Sequence, residues 1–261
     1  GFAGAVNAGI RASETPFVAL LNSDTALDPH WLEALVDALD ELPDYDVAAS
    51  RMLIYSDPSI LNAAGDVYDL WAVSGRNRGV GRPASEFERR ERVLGACAGA
   101  ALYRRAFFED VGLFDERFFL MSEDTDVNLR ALIAGKKCVY VPEAKVRHKV
   151  SASIEAHPGD TMDALAMRNL GLVVAKDLPW FLIVCVAAPA YLWRLFRSTV
   201  PVRPAKWHLI PRLLREMPAR HATFMEGWRL GRQERSDVWS RRVASRTEIF
   251  RWLLKGYGPL R

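Results

Sequence analysis

Residues 16–25 read PFVALLNSDT, and this stretch decides the fold class. The run from Pro16 to Leu21 is short, continuous and apolar, as expected of a strand buried on both faces. A polar tetrad, Asn22-Ser23-Asp24-Thr25, ends it. Asp28-Pro29 then reads as a helix start, with Asp28 as N-cap and Pro29 at the first helical position. Trp31, Leu35, Val36 and Leu39 give that helix one apolar face. A buried strand, a polar turn and an amphipathic helix in succession form the repeating unit of an α/β domain.

The pattern continues outward. Val47 to Tyr55 reads as a second strand. Residues 56–92 lack periodicity and carry Gly65, Gly75, Gly79 and Gly81, so they form either a functional loop or a set of short strands. Val93 to Tyr103 reads as a strand and turn, and Arg105 to Val111 as a short helix closed by Gly112. Glu123 to Ala134 is a longer helix closed by Gly135, followed by short strands over Lys137–Val141 and Ala144–Arg147. This alternation predicts an α/β domain with a largely parallel sheet. The small residues of Gly1–Gly9 suit close helix packing and do not make a dinucleotide-binding fingerprint.

From about Asp160 the strand signals stop and helix-length segments take over. The chain has 261 residues, 50% hydrophobic and 26% charged, which excludes disordered, collagen-like and coiled-coil classes. Its three cysteines, Cys97, Cys138 and Cys185, have no short metal spacing and read as reduced thiols of a cytosol-facing protein. The net charge of +3 divides unevenly: residues 1–150 carry −6 and residues 151–261 carry +9. Leu178 to Trp193 is uncharged over 16 residues, interrupted by Pro179 and Pro189 and edged by Trp180, Tyr191 and Trp193. It is shorter than the roughly 20 residues of a spanning helix. A re-entrant or in-plane membrane segment and a buried core helix both fit it. Beyond it, Trp207, Arg212, Arg215, Arg220, Trp228, Arg229, Arg232, Arg235, Arg241 and Arg242 interleave. That pattern suits a helix on an anionic bilayer or a solvated basic bundle. No RNA- or DNA-binding signature accompanies the charge, so nucleic acid is not an expected partner.

Three places can carry chemistry. Asp24 follows a strand at its carboxyl end, where open α/β sheets bind ligands. It can hold Mg²⁺ or Mn²⁺ against phosphates, or simply cap a turn. Glu123, Asp124 and Asp126 cluster at a helix start, where they complement the helix dipole and also disfavour one another's ionisation, as a general base requires. Glu123 and Asp124 lie about 100° apart around the helix, so one can face a pocket while the other anchors structure. His148, between Arg147 and Lys149, can complete a metal shell with Asp24 or remain structural.

In order and spacing, four segments resemble the inverting family 2 glycosyltransferases, particularly their rhamnosyltransferase-like branch. They are GFAGAVNAGI (Gly1–Ile10), PFVALLNSDT (Pro16–Thr25), GACAGAALYRRAFFEDVGLFDERFFLMSEDTDVNLRALIAGKK (Gly95–Lys137) and VRHKVSAS (Val146–Ser153). The resemblance implies a GT-A fold: a Rossmann-like nucleotide-sugar domain over residues 1–155, lacking its first strands. A mostly helical, basic, membrane-associated region would occupy 156–261. Asp24 matches the last acid of the family's DxD metal motif, and Asn22 stands where its first acid would be. Asn7 and Gly9 match the donor pocket. Ala98, Gly99 and Ala100 match the loop beside donor and acceptor, and Phe114, Asp115 and Glu116 match the turn on the acceptor side. Asp124 matches the catalytic base beside Glu123, Arg130 a structural helix arginine, and His148 a metal ligand of some relatives. The family's opening strands and the acidic turn that grips base and ribose have no counterpart here, and the resemblance places them upstream of Gly1.

The implied activity is transfer of a sugar from a dTDP- or UDP-sugar, such as rhamnose, to a lipid-linked or polysaccharide acceptor. Mg²⁺ or Mn²⁺ would assist, at the cytoplasmic face of the cell membrane, with the chain peripheral or re-entrant on an anionic surface. Two other classes stay open: a metal-dependent nucleotidyl- or phosphotransferase, and a non-catalytic accessory protein.

Overall fold

The structure, a computed structural model, describes residues 1–149, 159–199 and 210–260. In chain order the first elements are α1 (Phe2–Ala12), β1 (Phe17–Leu21), β2 (Thr25–Leu27), α2 (Trp31–Glu41), β3 (Val47–Ile54), β4 (Leu61–Ala64), β5 (Asp66–Asp69) and β6 (Ser74–Asn77). There follow β7 (Glu91–Val93), β8 (Ala100–Arg104), α3 (Arg105–Val111), α4 (Glu123–Ile133) and β9 (Cys138–His148). Helices α5 (Gly159–Asp177), α6 (Trp180–Leu182), α7 (Ala188–Thr199), α8 (Ile210–Ser240) and α9 (Arg246–Lys255) come next, then β10 (Tyr257–Gly258). A π-helical turn, Ile183–Ala187, joins α6 to α7.

The chain divides into two units. Gly1–Tyr68, Gly75–His157 and Arg241–Arg261 form the first, and Asp69–Ser74 with Pro158–Ser240 form the second. The boundary expected at 155/156 is therefore crossed twice: the chain's last segment belongs with the sheet, and a short hairpin tip belongs with the helices.

In the first unit, an eight-stranded sheet runs β1-β8-β3-β9-β7-β10, with β2 added to β9 and β4 to β3. Helix and sheet mix as the α/β reading requires, but the sheet is not largely parallel. Only β3 and β9 pair in parallel among the described strands. Strand β8 runs antiparallel to both β1 and β3, and β7 antiparallel to β9. Hydrophobic periodicity reveals that a strand is buried, not which way its neighbour runs. The two strand signals at 137–141 and 144–147 merge into one strand, β9, whose register against β3 shifts after Ser50. The aperiodic stretch 56–92 proves to be short strands rather than a loop.

Successive residues of the central strands face opposite layers. Val47, Ala49, Cys138 and Tyr140 pack with Ala3 and Ile10 of α1, Phe107 and Phe108 of α3, and Val127 and Ala131 of α4. Ala48, Met52, Val139 and Val141 pack with Trp31, Leu35 and Leu39 of α2. Each fully buried side chain the size of Leu35, Leu39, Met52 or Phe107 contributes about 1.5–3 kcal/mol. Helix α2 begins two residues later than expected. His30 is its N-cap, and Asp28 instead accepts from the His30 and Trp31 N–H groups in the preceding turn. Strand β1 is also not buried on both faces. Val18 and Leu20 are covered, while Ala19 and Leu21 are exposed at the end of the strand order.

The second unit is held by α5 against α8. Gly171, Gly227 and Gly231 sit where the two backbones meet, and a Cβ at any of them would collide with a carbonyl of the other helix. Arg235 donates to the Ala175 and Leu178 carbonyls, and Trp239 Nε1 to the Lys176 carbonyl, satisfying the free end of α5. The Arg235 guanidinium lies 4.4 Å from the Trp180 ring. Part of the Arg/Trp pattern read as membrane-facing is thus engaged inside this unit. Trp207, residues 150–153 and the side chain of Arg212 lie outside the described residues. Among the described residues no helix is long and apolar enough to cross a membrane.

Candidate active site

A cleft of about 1050 Å³ opens in the first unit at the carboxyl end of β1. Gly9, Asn22, Asp24, Ala98, Gly99, Glu123, Asp124 and His148 line it. Eight of the predicted site residues therefore meet in one cavity.

Local pairing explains how. Strand β2, which the sequence reading did not contain, pairs with β9 in the register Thr25↔His148. That brings Asp24 Oδ1 to 3.2 Å from His148 Nε2. The Lys149 N–H donates to the Asp24 carbonyl, and His148 Nδ1 lies 3.0 Å from Asn62 Oδ1, which orients the ring. The Asn22 N–H donates to the Gly99 carbonyl. A Cβ on Gly99 would stand 3.1 Å from Asn22 Nδ2, so the small residue admits the amide. The Asp24 carboxylate is the kind of oxygen donor that Mg²⁺ and Mn²⁺ take, and the His148 imidazole is a nitrogen donor of the divalent transition metals.

Helix α4 supplies the carboxyls. Met121 and Ser122 both take positive φ, 69° and 68°, immediately before Glu123. Two consecutive non-glycine residues in the left-handed region are unusual, and such strain gathers at functional sites. Burial, and then the charge of Asp124, push the Glu123 carboxyl up to about 7. Its Oε2 has no hydrogen-bond partner. Burial also raises Asp124, opposed by hydrogen bonds from backbone N–H groups, Thr125 foremost. Behind them Arg130 donates to the fully buried Asp126 carboxylate and to the Val111 and Leu113 carbonyls, a structural role as expected.

Asn7, Ala100, Phe114, Asp115 and Glu116 do not line the cleft. Asn7 is buried, and its amide binds both the N–H and the carbonyl of Phe114 and donates to Glu116 Oε1. Asp115 is paired with Arg117, and Glu116 faces Asn7 and Arg11. They hold the turn after α3 against α1, a packing task that a short polar motif does not distinguish from binding.

Two residues at this site were missed. Asp66 and Cys97 place a carboxylate oxygen and a thiol sulfur so that these and an Asp124 carboxylate oxygen all lie within 4.8 Å of one another. Burial and then Asp124 push the Asp66 carboxyl well above the usual carboxylate range, and burial does the same to the Cys97 thiol. Asp66 lies in the aperiodic stretch, directly after a turn at Gly65, φ 77°, and its N–H donates to the Gly95 carbonyl.

Residues 17–225 match the family described as Glycosyl transferase family group 2. N-acetylglucosaminyl-diphospho-decaprenol L-rhamnosyltransferase of Mycobacterium tuberculosis is 33% identical over 174 residues, 59% of this chain and 56% of that protein. An O-antigen biosynthesis protein of Myxococcus xanthus is 26% identical over 176 residues, 65% of this chain and 13% of that protein. A mannosyltransferase of Pyrobaculum calidifontis, solved with GDP-Man and Mn²⁺, aligns with 98% of this chain and 67% of its own at 11% identity and a TM-score of 0.42. The chain spans about half the length of the first of these relatives.

Proposed function

The chain belongs to glycosyl transferase family group 2, and on that premise we propose that it moves a sugar, with inversion, from a nucleotide-sugar to a lipid-linked or polysaccharide acceptor. The observation that carries the reading is the single cleft in which the Asp24–His148 pair and the Glu123–Asp124 carboxyls are both wall residues.

Asp24 and His148 would hold Mg²⁺ or Mn²⁺. A divalent cation there supplies positive charge against the leaving diphosphate. Asn22 offers an amide for hydrogen bonds to the sugar or ribose. Asp124 accepts the proton of the acceptor hydroxyl as its oxygen attacks the anomeric carbon and the bond to the diphosphate breaks. Glu123, pushed up to about 7 by burial and by the charge of Asp124, keeps its proton while Asp124 ionises, so Asp124 is the member of the pair free to act as base. Holding donor and acceptor in line supplies much of the remaining rate. The donor is a dTDP- or UDP-sugar, and the rhamnosyltransferase relative favours L-rhamnose.

Asp24→Ala is expected to weaken metal-dependent donor binding at least tenfold by calorimetry with Mn²⁺ present. Unchanged affinity would remove Asp24 from the metal site.

The acceptor's lipid implies a membrane surface, and we place the chain peripherally on the cytoplasmic face. Support comes from the second unit, where Trp180, Phe181, Val184, Leu192 and Trp193 are all exposed along one short stretch, as are Arg229 and Arg232. Flotation with anionic liposomes is expected to carry the protein at low salt and to release it at high salt. No binding at low salt would sink the placement.

A further inference from the structure

The cluster of Asp66, Cys97 and Asp124 is drawn from three separate elements. Asp66 opens β5, Cys97 sits in the turn before β8, and Asp124 lies in the first turn of α4. One carboxylate oxygen from each acid and the Cys97 sulfur lie within 4.8 Å of one another. Asp66 is only 5% exposed. One of its oxygens accepts from Asn128 Nδ2 at 3.1 Å, and the other, Oδ1, has no hydrogen-bond partner. Such an orphaned, buried carboxylate oxygen lacks the partner that normally accompanies burial.

The frame around the cluster is rigid. Asn128 also bonds the Ala96 carbonyl and N–H, which fixes the turn that carries Cys97. The Asp66 N–H donates to the Gly95 carbonyl, and the Ala100 N–H to that of Cys97. A side chain on Gly95 would collide with Asn128, so the turn can approach α4 only because that residue is glycine. Cys97 and Asp124 both line the cleft, which gives a path from solvent.

Two carboxylate oxygens and a thiolate supply three protein ligands, the number that catalytic zinc sites use, and Cys97 and Asp124 bring the cluster to the cleft wall. The sulfur selects thiophilic ions over Mg²⁺. Bonds of about 2.3 Å to sulfur and about 2.0–2.2 Å to oxygen keep donor atoms on one ion within roughly 4.5 Å. A set already inside 4.8 Å closes by small side-chain rotations.

We propose that Asp66, Cys97 and Asp124 form a binding site for one thiophilic divalent cation of the zinc class, distinct from the Asp24–His148 pair, and that filling it inhibits the enzyme by withdrawing Asp124. The binding half stands on the cluster alone, and the inhibition half rests on the transferase reading.

The test separates the two. Zn²⁺ binding is measured without sugar donor, by competition against a chromophoric chelator, and Co²⁺ serves as a spectroscopic stand-in. One equivalent is expected, with Co²⁺ giving thiolate-to-metal charge-transfer absorption. Cys97→Ser should lose that band and at least tenfold in Zn²⁺ affinity, and Asp66→Asn, which keeps an acceptor for Asn128, should lose as much affinity. Absence of the band in the parent, or equal affinity in folded Cys97→Ser, overturns the site. Zn²⁺ is then titrated into a transfer assay at saturating Mn²⁺. Inhibition that weakens at least tenfold in Cys97→Ser supports the mechanism, and equal inhibition of both proteins overturns it. If no sugar transfer is seen at all, the inhibition half fails together with the transferase reading, while the binding measurement still decides the site.

Discussion

Asp124→Asn is expected to lower turnover by roughly 10²–10⁴-fold, the usual worth of a positioned general base, while donor affinity stays near its original value. The amide keeps the shape of the carboxyl and cannot take the acceptor proton. Turnover within a few-fold of the parent would remove Asp124 from the role. Loss through unfolding is separable by sign. The Asp124 carboxyl titrates above its ordinary value because burial disfavours its charge. An acid with a raised folded-state pKa destabilises the fold as pH rises past its unfolded value. Asp124→Asn removes that charge, so its melting temperature at pH 8 should equal or exceed the parent's.

The same sign rule bears on Glu123, whose carboxyl is pushed from 4.5 up to about 7. Between those values the unfolded chain gives up the proton that the folded chain retains, so stability falls as pH rises through the window. Glu123→Gln should flatten that fall. It should leave the acidic limb of the rate profile in place, because the Asp124 charge raises Glu123 and so Asp124 ionises while Glu123 still holds its proton. A limb that moves to lower pH would show that Glu123 carries its charge before Asp124 does.

Arg130→Leu is expected to cost about 3–5 kcal/mol of stability, the range for removing one partner of a buried ion pair. Arg130 Nε and Nη2 donate to Asp126 Oδ2 at 2.9 and 2.8 Å, and Asp126 is 0% exposed. Without the guanidinium, Asp126 loses the two charge-assisted bonds that Arg130 gives it, and the Val111 and Leu113 carbonyls each lose a donor. Lysine cannot replace the planar fork, so Arg130→Lys should recover only part of the loss. Denaturant unfolding checks the figure, and a loss under about 1 kcal/mol would mean that water and neighbouring groups compensate the pair. Because this pair ties the helix that carries Asp124 to the turn after α3, the loss should also appear as reduced activity at temperatures where the fold survives.

The fold's layers were legible where side-chain periodicity is a local property. Strands β1 and β3 and helices α3 and α4 lie within a few residues of their expected positions, because buried runs and glycine terminators announce themselves within one element. Strand direction was not legible, since it depends on which distant strand supplies the hydrogen bonds. β8, expected to continue a parallel sheet, instead runs antiparallel to β1 and β3. The site divides along the same line. Asp24 and His148 could be named from their positions at strand ends, and the β2–β9 register brings them together. Asp66 could not be named, because nothing around it is periodic and its approach to Asp124 depends on the hairpin of β5 and β6. Asn7, Asp115 and Glu116 carry the right chemistry but bind one another's backbone and side chains, which motif spacing alone does not reveal.

Mass analysis of the products tests the central claim most directly. The protein is incubated with dTDP- and UDP-sugars, Mn²⁺ or Mg²⁺ and a polyprenyl-diphosphate-linked acceptor. The account predicts an acceptor heavier by one sugar residue, together with free nucleoside diphosphate, and loss of both in Asp124→Asn. An acceptor carrying a nucleoside monophosphate, with sugar phosphate released, would contradict it and assign the cleft to nucleotidyl transfer.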